Sequence, residues 1–253
     1  MEQQNHSDEI AVSTKNLHKA FGEQVVLNNV NLKVQRGQTF LVLGRSGTGK
    51  SVLLKLLIGL QKPDEGKIEI SGTEVTSLPL NELNEMRKKM GFLFQNAALY
   101  DSLTVEENVA FPLRRHTKMK SNEITEHVRE LLARVGMEDA LKKMPANISG
   151  GMKKRVGLAR ALALDPEIML LDEPNAGLDP ITAAEIDDLI RDLQQERGIT
   201  SIIVTHDMRS VHTIADRVAM LNQGSIVIEG TPEELEQSDD PFVVSFMQEK
   251  QEK

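Results

Sequence analysis

The chain has 253 residues, and its 40% hydrophobic content can supply the core of one large domain or of two modest ones. A net charge of −8, a single tyrosine and no tryptophan argue against a general nucleic-acid-binding surface, because such surfaces are basic and often stack aromatic rings on bases. With no cysteine, the chain can form neither disulfides nor thiolate metal sites.

The sequence predicts no membrane-spanning helix. Its longest strongly apolar segment, residues 51–60, is interrupted by Lys55 and has about half of the ~20 residues that a spanning helix needs. The N-terminal segment carries acidic side chains and lacks the basic and apolar regions of a secretory signal. We therefore expect the chain to remain in the cytoplasm.

Apolar and polar residues alternate over the first part of the chain, for example in residues 30–34. This period-two alternation predicts half-exposed antiparallel strands. From Thr39 the pattern changes to a short buried strand at residues 39–43, a glycine-rich turn, and a helix over residues 50–60. The sequence thus predicts an N-terminal antiparallel β subdomain, followed by a strand, a loop and a helix in series.

The stretch from 96 to 164 is more polar and more helical than the segments beside it. Apolar residues recur at helical spacing over residues 124–135, with Ser121 placed to cap this helix and Gly136 placed to end it. We expect a helical lobe inserted into the domain, with this stripe as its packing face. The basic cluster at residues 153–155 is expected to be a solvated face.

The second half of the chain alternates strands with helices. Buried strands are predicted at residues 168–171 and 201–204, and the helix between them has Asp179 as N-cap and Gly198 as terminator. A hairpin over residues 217–228 follows, and then a short helix that begins with a capping box. Such alternation predicts an α/β fold with a parallel sheet.

Residues 44–51 satisfy the phosphate-loop pattern and lie between a predicted strand and a predicted helix. Glycines let the loop turn its N–H groups toward phosphate oxygens, and the helix N-terminus adds partial positive charge. Lys50 supplies a full charge, and the Ser51 hydroxyl can bind Mg²⁺ beside the terminal phosphates. The predicted nucleotide-binding residues are Gly44, Arg45, Ser46, Gly47, Thr48, Gly49, Lys50 and Ser51.

Two carboxylates, Asp172 and Glu173, directly follow the buried strand at residues 168–171. Open α/β sheets bind their ligands at this carboxyl edge. We expect Asp172 to bind Mg²⁺ and Glu173 to orient or deprotonate the water that attacks the γ-phosphate. Together with the phosphate loop, this predicts a P-loop nucleoside triphosphatase, without choosing among transporters, motor proteins, GTPases and kinases.

Ser149 is placed to cap a helix, and Gly150 and Gly151 leave its N–H groups open to an anion, which predicts a second phosphate site. The segment from Ile148 to Met152, followed by Lys-Lys-Arg, resembles the signature sequence of ABC transporter ATPases, and it precedes the acidic strand as in that family. The resemblance implies an ABC-type nucleotide-binding domain with a RecA-like core. It also implies a head-to-tail homodimer in which the signature contacts the ATP of the opposite subunit.

Further positions match the family in the expected order. The resemblance assigns Gln95 to the catalytic group and to the Mg²⁺ shell, Asp179 to the D-loop, and His206 to a switch that senses the γ-phosphate. Phe21 resembles the aromatic residue that stacks on adenine, although tyrosine is commoner there and an ordinary apolar strand residue is the alternative. Met152 and the pair 175–176 depart from the usual pattern, but neither removes a phosphate donor, metal ligand or base.

Four segments, residues 149–155, 94–100, 108–113 and 240–246, look like those of ATPases of Mla/Mce-type phospholipid transporters. The resemblance implies permease subunits, an Mce-domain lipid-binding protein and a small accessory regulator as partners, at the cytoplasmic face of the inner membrane. We expect the permease to dock near residues 95–100, where Ala97, Ala98 and Leu99 form either the docking surface or core of the lobe. The alternatives are another ABC importer or exporter, or a soluble ABC ATPase that acts on ribosomes or DNA.

The expected organisation is an ATP-binding domain at residues 1–240, with its helical lobe at about 96–164, and a short tail at 241–253. The expected cofactors are ATP and Mg²⁺, and no nucleic acid is expected to bind.

Overall fold

The structure is a computed structural model that describes residues 9–251. The strands are β1 (Ile10–Phe21), β2 (Gln24–Gln35), β3 (Thr39–Leu43), β4 (Glu65–Ile70), β5 (Thr73–Glu74), β6 (Met90–Leu93), β7 (Ile168–Asp172), β8 (Thr200–Thr205), β9 (Arg217–Asn222) and β10 (Ser225–Gly230). The helices are α1 (Lys50–Leu57), α2 (Leu80–Lys88), α3 (Val105–His116), α4 (Ser121–Arg134), α5 (Gly150–Leu162), α6 (Pro180–Arg197), α7 (Met208–Ile214), α8 (Pro232–Glu236) and α9 (Pro241–Gln251).

These strands form two sheets, as the two patterns of hydrophobicity predict. One sheet is antiparallel, in the order β2-β1-β4-β5. The other has the order β10-β9-β3-β8-β7-β6, in which every neighbouring pair is parallel except β9 and β10. The predicted α/β fold with an N-terminal antiparallel part is confirmed.

The parallel sheet separates two hydrophobic cores, because successive side chains of a strand point to opposite faces. In β3, Phe40 and Val42 face α1 and the antiparallel sheet, whereas Leu41 and Leu43 face the core that the later helices share. All four residues are fully buried. The strands between the two cores are therefore apolar throughout and read as continuous hydrophobic runs.

The stretch after β6 is helical, as predicted, and its helices α3, α4 and α5 pack against one another. The apolar stripe of α4 is buried in the shared core, but Ser121 does not cap this helix. Ser121 is instead the first helical residue, and the Glu123 carboxylate accepts the N–H of Lys120 at 2.6 Å. Gly136 follows the helix with φ of +67°, in the left-handed conformation that ends helices.

Helix α1 is shorter than predicted and ends at Leu57. Gly59 adopts φ of +70°, and the N–H of Leu60 donates to the carbonyl of Lys55 at 2.8 Å. The chain thus leaves the helix before Leu60, although the apolar sequence continues.

The segment after residue 240 forms α9, whose Val243 and Phe246 are buried in the core of the later helices. The division into a domain at 1–240 and a tail at 241–253 stays a prediction. Between residues 9 and 251, none of the helices combines the length and the apolar character that crossing a membrane requires.

Candidate functional site at the carboxyl edge of the parallel sheet

The carboxyl ends of β3, β6, β7 and β8 meet at one edge of the parallel sheet. Leu43 pairs with Thr205, Asp172 with Val204, and Leu93 with Leu171. Because these registers align the strand ends, the loops that follow them share this edge. The structure therefore brings Gly44, Gln95, Glu173 and His206 to one side of the sheet; these residues lie up to 162 positions apart in sequence, from 44 to 206.

The phosphate loop connects β3 to α1 and exposes its tip, residues 45–47. The Lys50 side chain is 6% exposed, and its ammonium donates to the carbonyls of Gly44 at 2.8 Å and Arg45 at 3.1 Å. Gly49 has φ of +104°, and a Cβ there would lie 2.8 Å from the carbonyl oxygen of Val26 in β2. The loop therefore needs glycine at this position, because β2 approaches it so closely.

Ser51 and Asp172, which the sequence analysis assigns separately to Mg²⁺, lie in contact in the structure. The Ser51 hydroxyl donates to Oδ1 of Asp172 at 2.7 Å. Burial raises the pKa of the Asp172 carboxyl, although the hydrogen bond from Ser51 acts in the opposite direction. A hydroxyl and a carboxylate are hard oxygen donors, so this pair fits Mg²⁺. Gln95 lies two residues past the end of β6, and its side chain is exposed.

Within residues 9–251 there is no group of three or more His, Cys, Asp or Glu side chains that could hold a metal ion. A Mg²⁺ ion at Ser51 and Asp172 would thus take much of its coordination from phosphate oxygens and water. This is the usual arrangement for Mg²⁺ that binds together with a nucleotide.

Glu173 is the centre of the site. Its Oε2 lies 2.8 Å from Nδ1 of His206, and its Oε1 lies 3.4 Å from Nζ of Lys50. The Glu173 side chain is 10% exposed, whereas the His206 side chain is 48% exposed and can reach a ligand. A buried carboxylate held between two nitrogen groups has a defined orientation, which a general base requires.

The backbone of Glu173 is also unusual, because φ is +48°, in the left-handed region that non-glycine residues rarely adopt. Its N–H donates to the carbonyl of Val204 at 2.9 Å, and its own carbonyl accepts the N–H of Ala176 at 3.2 Å. These bonds hold the turn that directs the carboxylate toward Lys50.

The signature segment forms the start of α5. Ser149 caps this helix by accepting the N–H of Met152 at 3.2 Å, and Ser149 and Gly150 are exposed. Gly151 is buried, and a Cβ there would lie 2.5 Å from Cγ2 of Thr182 in α6. The two predicted phosphate-site glycines therefore differ: Gly150 faces outward, whereas Gly151 lets α5 and α6 approach each other.

Asp179 and Phe21 lie at the margins of the site. Asp179 caps α6, as predicted, by accepting the N–H groups of Ile181 and Thr182 at 3.1 Å. Phe21 ends β1 at the hairpin turn and is 45% exposed, and the ammonium of Lys19 lies 5.4 Å from the ring centroid. Since the adjoining β2 reaches Gly49, this hairpin lies beside the phosphate loop.

Sequence reasoning missed one lysine of the site. Lys154 belongs to the cluster expected to be a solvated face, but it is 5% exposed and its Nζ donates to the carbonyl of Glu173 at 2.7 Å. Burial lowers the pKa of Lys154 to about 8, and the nearby charges of Asp172 and Glu173 partly oppose this shift. The pattern of apolar and charged residues around Lys154 does not reveal that it is buried, because its partner Glu173 lies in another segment of the chain.

A second missed feature is a buried polar network beside the site. Asp187 of α6 accepts hydrogen bonds from Nδ2 of Asn175 at 2.7 Å and from Oγ of Ser210 at 2.9 Å. Asn175 follows Glu173 by two residues, and Ser210 follows His206 by four. The network thus joins the two loops that carry Glu173 and His206.

Comparison with known proteins agrees with this geometry. The family model described as ABC transporter matches residues 27–176, more than half of the chain. The "Probable ribonucleotide transport ATP-binding protein mkl" of Mycobacterium leprae is 45% identical over 94% of this chain and 69% of its own length. The "Intermembrane phospholipid transport system ATP-binding protein MlaF" of Haemophilus influenzae is 42% identical over 93% of this chain and 89% of its own length.

The "Methionine import ATP-binding protein MetN" of Rhizobium johnstonii is also 42% identical, over 88% of this chain and 62% of its own length. Among solved structures, a dimeric post-hydrolysis state of the ATP-binding cassette MJ0796 with bound ADP and phosphate has a TM-score of 0.82 and 35% identity. The aligned region covers 87% of this chain and 98% of the chain in that structure. The family match, these identities and the site geometry agree, and the chain belongs to the ABC transporter family as an ATP-hydrolysing transporter subunit.

Proposed function

We propose that Glu173 is the general base of ATP hydrolysis at the carboxyl edge of the parallel sheet. The observation that carries this proposal is the position of its carboxylate, with Nδ1 of His206 at 2.8 Å and Nζ of Lys50 at 3.4 Å. Lys50 and the phosphate-loop N–H groups bind the phosphates, so the carboxylate lies beside the place of attack. His206 orients this carboxylate and contacts the γ-phosphate.

Ser51, Asp172 and Gln95 would hold Mg²⁺, which when bound supplies positive charge to the β- and γ-phosphate oxygens. Ser51 and Asp172 already meet at 2.7 Å, so the hydroxyl and the carboxylate need only small movements to share an ion. Phe21 stacks on the adenine ring from the hairpin beside the phosphate loop.

We further propose that the chain acts as a head-to-tail homodimer, in which each ATP lies between the phosphate loop of one subunit and the signature of the other. Ser149 and Gly150 are exposed at the start of a 13-residue helix, where N–H groups and the helix dipole favour an anion. Asp179 is exposed on the neighbouring helix α6, which α5 approaches at Gly151. The similar cassette MJ0796, which is dimeric with bound ADP and phosphate, supports a nucleotide-bound dimer.

The permease is proposed to dock in a groove of about 370 Å³ between β6, α3 and α5. Tyr100 and Phe111 are 47% and 42% exposed there, with ring centroids 4.9 Å apart. Exposed neighbouring aromatic rings are typical of surfaces that bind a partner. Ala98 also lines the groove and belongs to the proposed docking surface, whereas Ala97 is buried in the core of the lobe.

The proposed cargo is phospholipid, carried between membranes by an Mla/Mce-type transporter at the cytoplasmic face of the inner membrane. The similarity to MlaF supports this, since it extends over 89% of that protein. Partners would be permease subunits, an Mce-domain lipid-binding protein and a small accessory regulator. The identities to the ribonucleotide and methionine transport proteins favour other cargoes and define the competing hypothesis of another ABC importer.

Affinity purification from membranes of the producing cells tests this function. The Glu173→Gln variant should bind ATP without hydrolysing it and hold the complex together, whereas Lys50→Ala is the matched control that should bind ATP poorly. Co-purification of a permease with an Mce-domain protein and phospholipid, in the ATP-dependent Glu173→Gln sample, would support lipid transport. A permease with a methionine- or nucleotide-binding protein would overturn the lipid proposal and leave the ATPase assignment intact.

A further inference from the structure

Helix α5 carries two functional contacts on one rigid element. Its first turn exposes Ser149 and Gly150, and five residues after Ser149 the buried ammonium of Lys154 donates to the carbonyl of Glu173 at 2.7 Å. At 1.5 Å per residue, these points lie only about 7.5 Å apart along the helix. A movement of the signature turn therefore reaches the Glu173 peptide directly.

The burial of Lys154 has a cost that an apolar side chain would avoid. The residue is 5% exposed and its ammonium donates to a neutral carbonyl, while the nearby charges of Asp172 and Glu173 offset only part of the cost of burial. Burying a charge is unfavourable unless paired, and replacing such groups by hydrophobic residues of similar volume is often neutral or stabilising. Packing alone therefore does not account for a lysine at this position.

The contacted carbonyl belongs to a residue whose backbone conformation needs support from its surroundings. Glu173 has φ of +48°, and such conformations persist only where the surrounding structure determines them. Its N–H is held by Val204 of β8, and its carbonyl is shared by the N–H of Ala176 and the ammonium of Lys154. Lys154 supplies the bond that comes from the signature helix.

We propose that Lys154 is a positioning residue that links the signature turn to the Glu173 carboxylate of the same chain. This inference rests on the proposed function of Glu173 and of the signature. In the head-to-tail dimer, the signature turn contacts the ATP held by the partner subunit, whereas Glu173 acts on the ATP of its own phosphate loop. Lys154 thus connects the two ATP sites of the dimer. When the signature turn binds the ATP of the partner subunit, Lys154 sets the orientation of the Glu173 carboxylate at the ATP of its own subunit.

The first test compares Lys154→Met with Lys154→Arg and with Lys153→Met, which changes the adjacent lysine. Lys154→Met keeps the length and loses the donor, so kcat for ATP should fall about 10- to 100-fold while KM stays within about twofold. Lys154→Arg retains a donor and should recover much of kcat, and Lys153→Met should resemble the unmodified chain. Equal turnover in Lys154→Met and Lys153→Met, or parallel loss of ATP binding and turnover, would overturn the proposal.

A double-mutant cycle with Ser149→Ala tests the link itself. If Lys154 transmits the state of the signature turn, the double variant should have about the kcat of the more impaired single variant, because both changes interrupt one path. Multiplicative losses would show independent roles and refute the link. If Lys154→Met does not fold, the same cycle is run with Lys154→Leu, which also lacks the donor, and multiplicative losses there count equally against the proposal.

The Glu173→Gln variant separates failure of this inference from failure of the proposed function. Loss of hydrolysis in Glu173→Gln together with normal turnover in Lys154→Met would reject the role of Lys154 alone. Normal hydrolysis in Glu173→Gln would reject the function on which that role rests.

Discussion

Replacing Asp187 by leucine should destabilise the fold by about 2–4 kcal/mol. Asp187 is 3% exposed and accepts hydrogen bonds from Asn175 and Ser210. Each buried donor left without its partner costs roughly 1–3 kcal/mol. Two terms reduce the total: Asn175 and Ser210 keep their mutual bond at 3.1 Å, and the substitution removes a buried carboxylate.

The matched control is Asp187→Asn, which keeps the shape and one acceptor and should cost about 1 kcal/mol. Urea unfolding followed by circular dichroism measures both variants. With a slope of about 3 kcal/mol per molar urea, a loss of 3 kcal/mol lowers the midpoint by about 1 M. A midpoint for Asp187→Leu equal to that of Asp187→Asn would refute the claim that the network stabilises the fold.

Comparing the unmodified chain with Asp187→Asn also tests how Asp187 makes stability depend on pH. Burial raises the pKa of Asp187, the neighbouring Asp207 also raises it, and its hydrogen bonds and Arg209 lower it. The folded chain therefore binds this proton more tightly than the unfolded chain, so the contribution of Asp187 to stability increases as pH falls through its folded pKa. Relative to Asp187→Asn, the unmodified chain should gain stability as the pH falls from 7.5 toward about 4, the ordinary pKa of an aspartate in an unfolded chain. A constant difference or a loss would contradict this reasoning.

Three further substitutions test separate parts of the site. Lys50→Ala removes the ammonium beside Gly44 and Glu173 and should weaken ATP binding at least about tenfold, measured by nucleotide titration; unchanged affinity would contradict its phosphate role. Ser51→Ala removes the hydroxyl bonded to Asp172, so the Mg²⁺ concentration for half-maximal hydrolysis should rise about tenfold, and an unchanged Mg²⁺ curve would exclude it from the metal shell. Phe21→Ala should raise KM for ATP about fivefold, whereas Phe21→Tyr should not; equal values for both would make Phe21 an ordinary strand residue.

Much of the fold is predictable because its signals are local. The phosphate loop, the buried strand before Asp172 and the cap at Asp179 each depend on neighbours in sequence, and the structure has the strand, turn and helix at these positions. Once a parallel sheet is predicted, the loops that follow its strands are expected to meet at one edge, since parallel strands align their carboxyl ends.

The features that sequence reasoning missed depend on contacts between distant segments. Lys154 sits between residues that suggest an exposed basic face, and only the packing of α5 shows that its ammonium reaches Glu173. Asn175 and Ser210 meet at Asp187 because α6 and α7 pack together, which no periodicity reveals. Ser121 failed as a cap because the carboxylate of Glu123 satisfies the backbone N–H at the start of α4.

Hydrolysis by the Glu173→Gln variant tests the central claim most directly. Glutamine keeps the shape of the side chain beside His206 and Lys50 but cannot accept a proton, and loss of general-base catalysis typically costs 10²–10⁴-fold in rate. Single-turnover hydrolysis of radiolabelled ATP, with ATP binding and dimer formation measured on the same sample, gives both quantities. We predict a fall in the hydrolysis rate of about 10²–10⁴-fold, with ATP still bound in a dimer. A rate within about threefold of the unmodified chain would show that Glu173 is not the base.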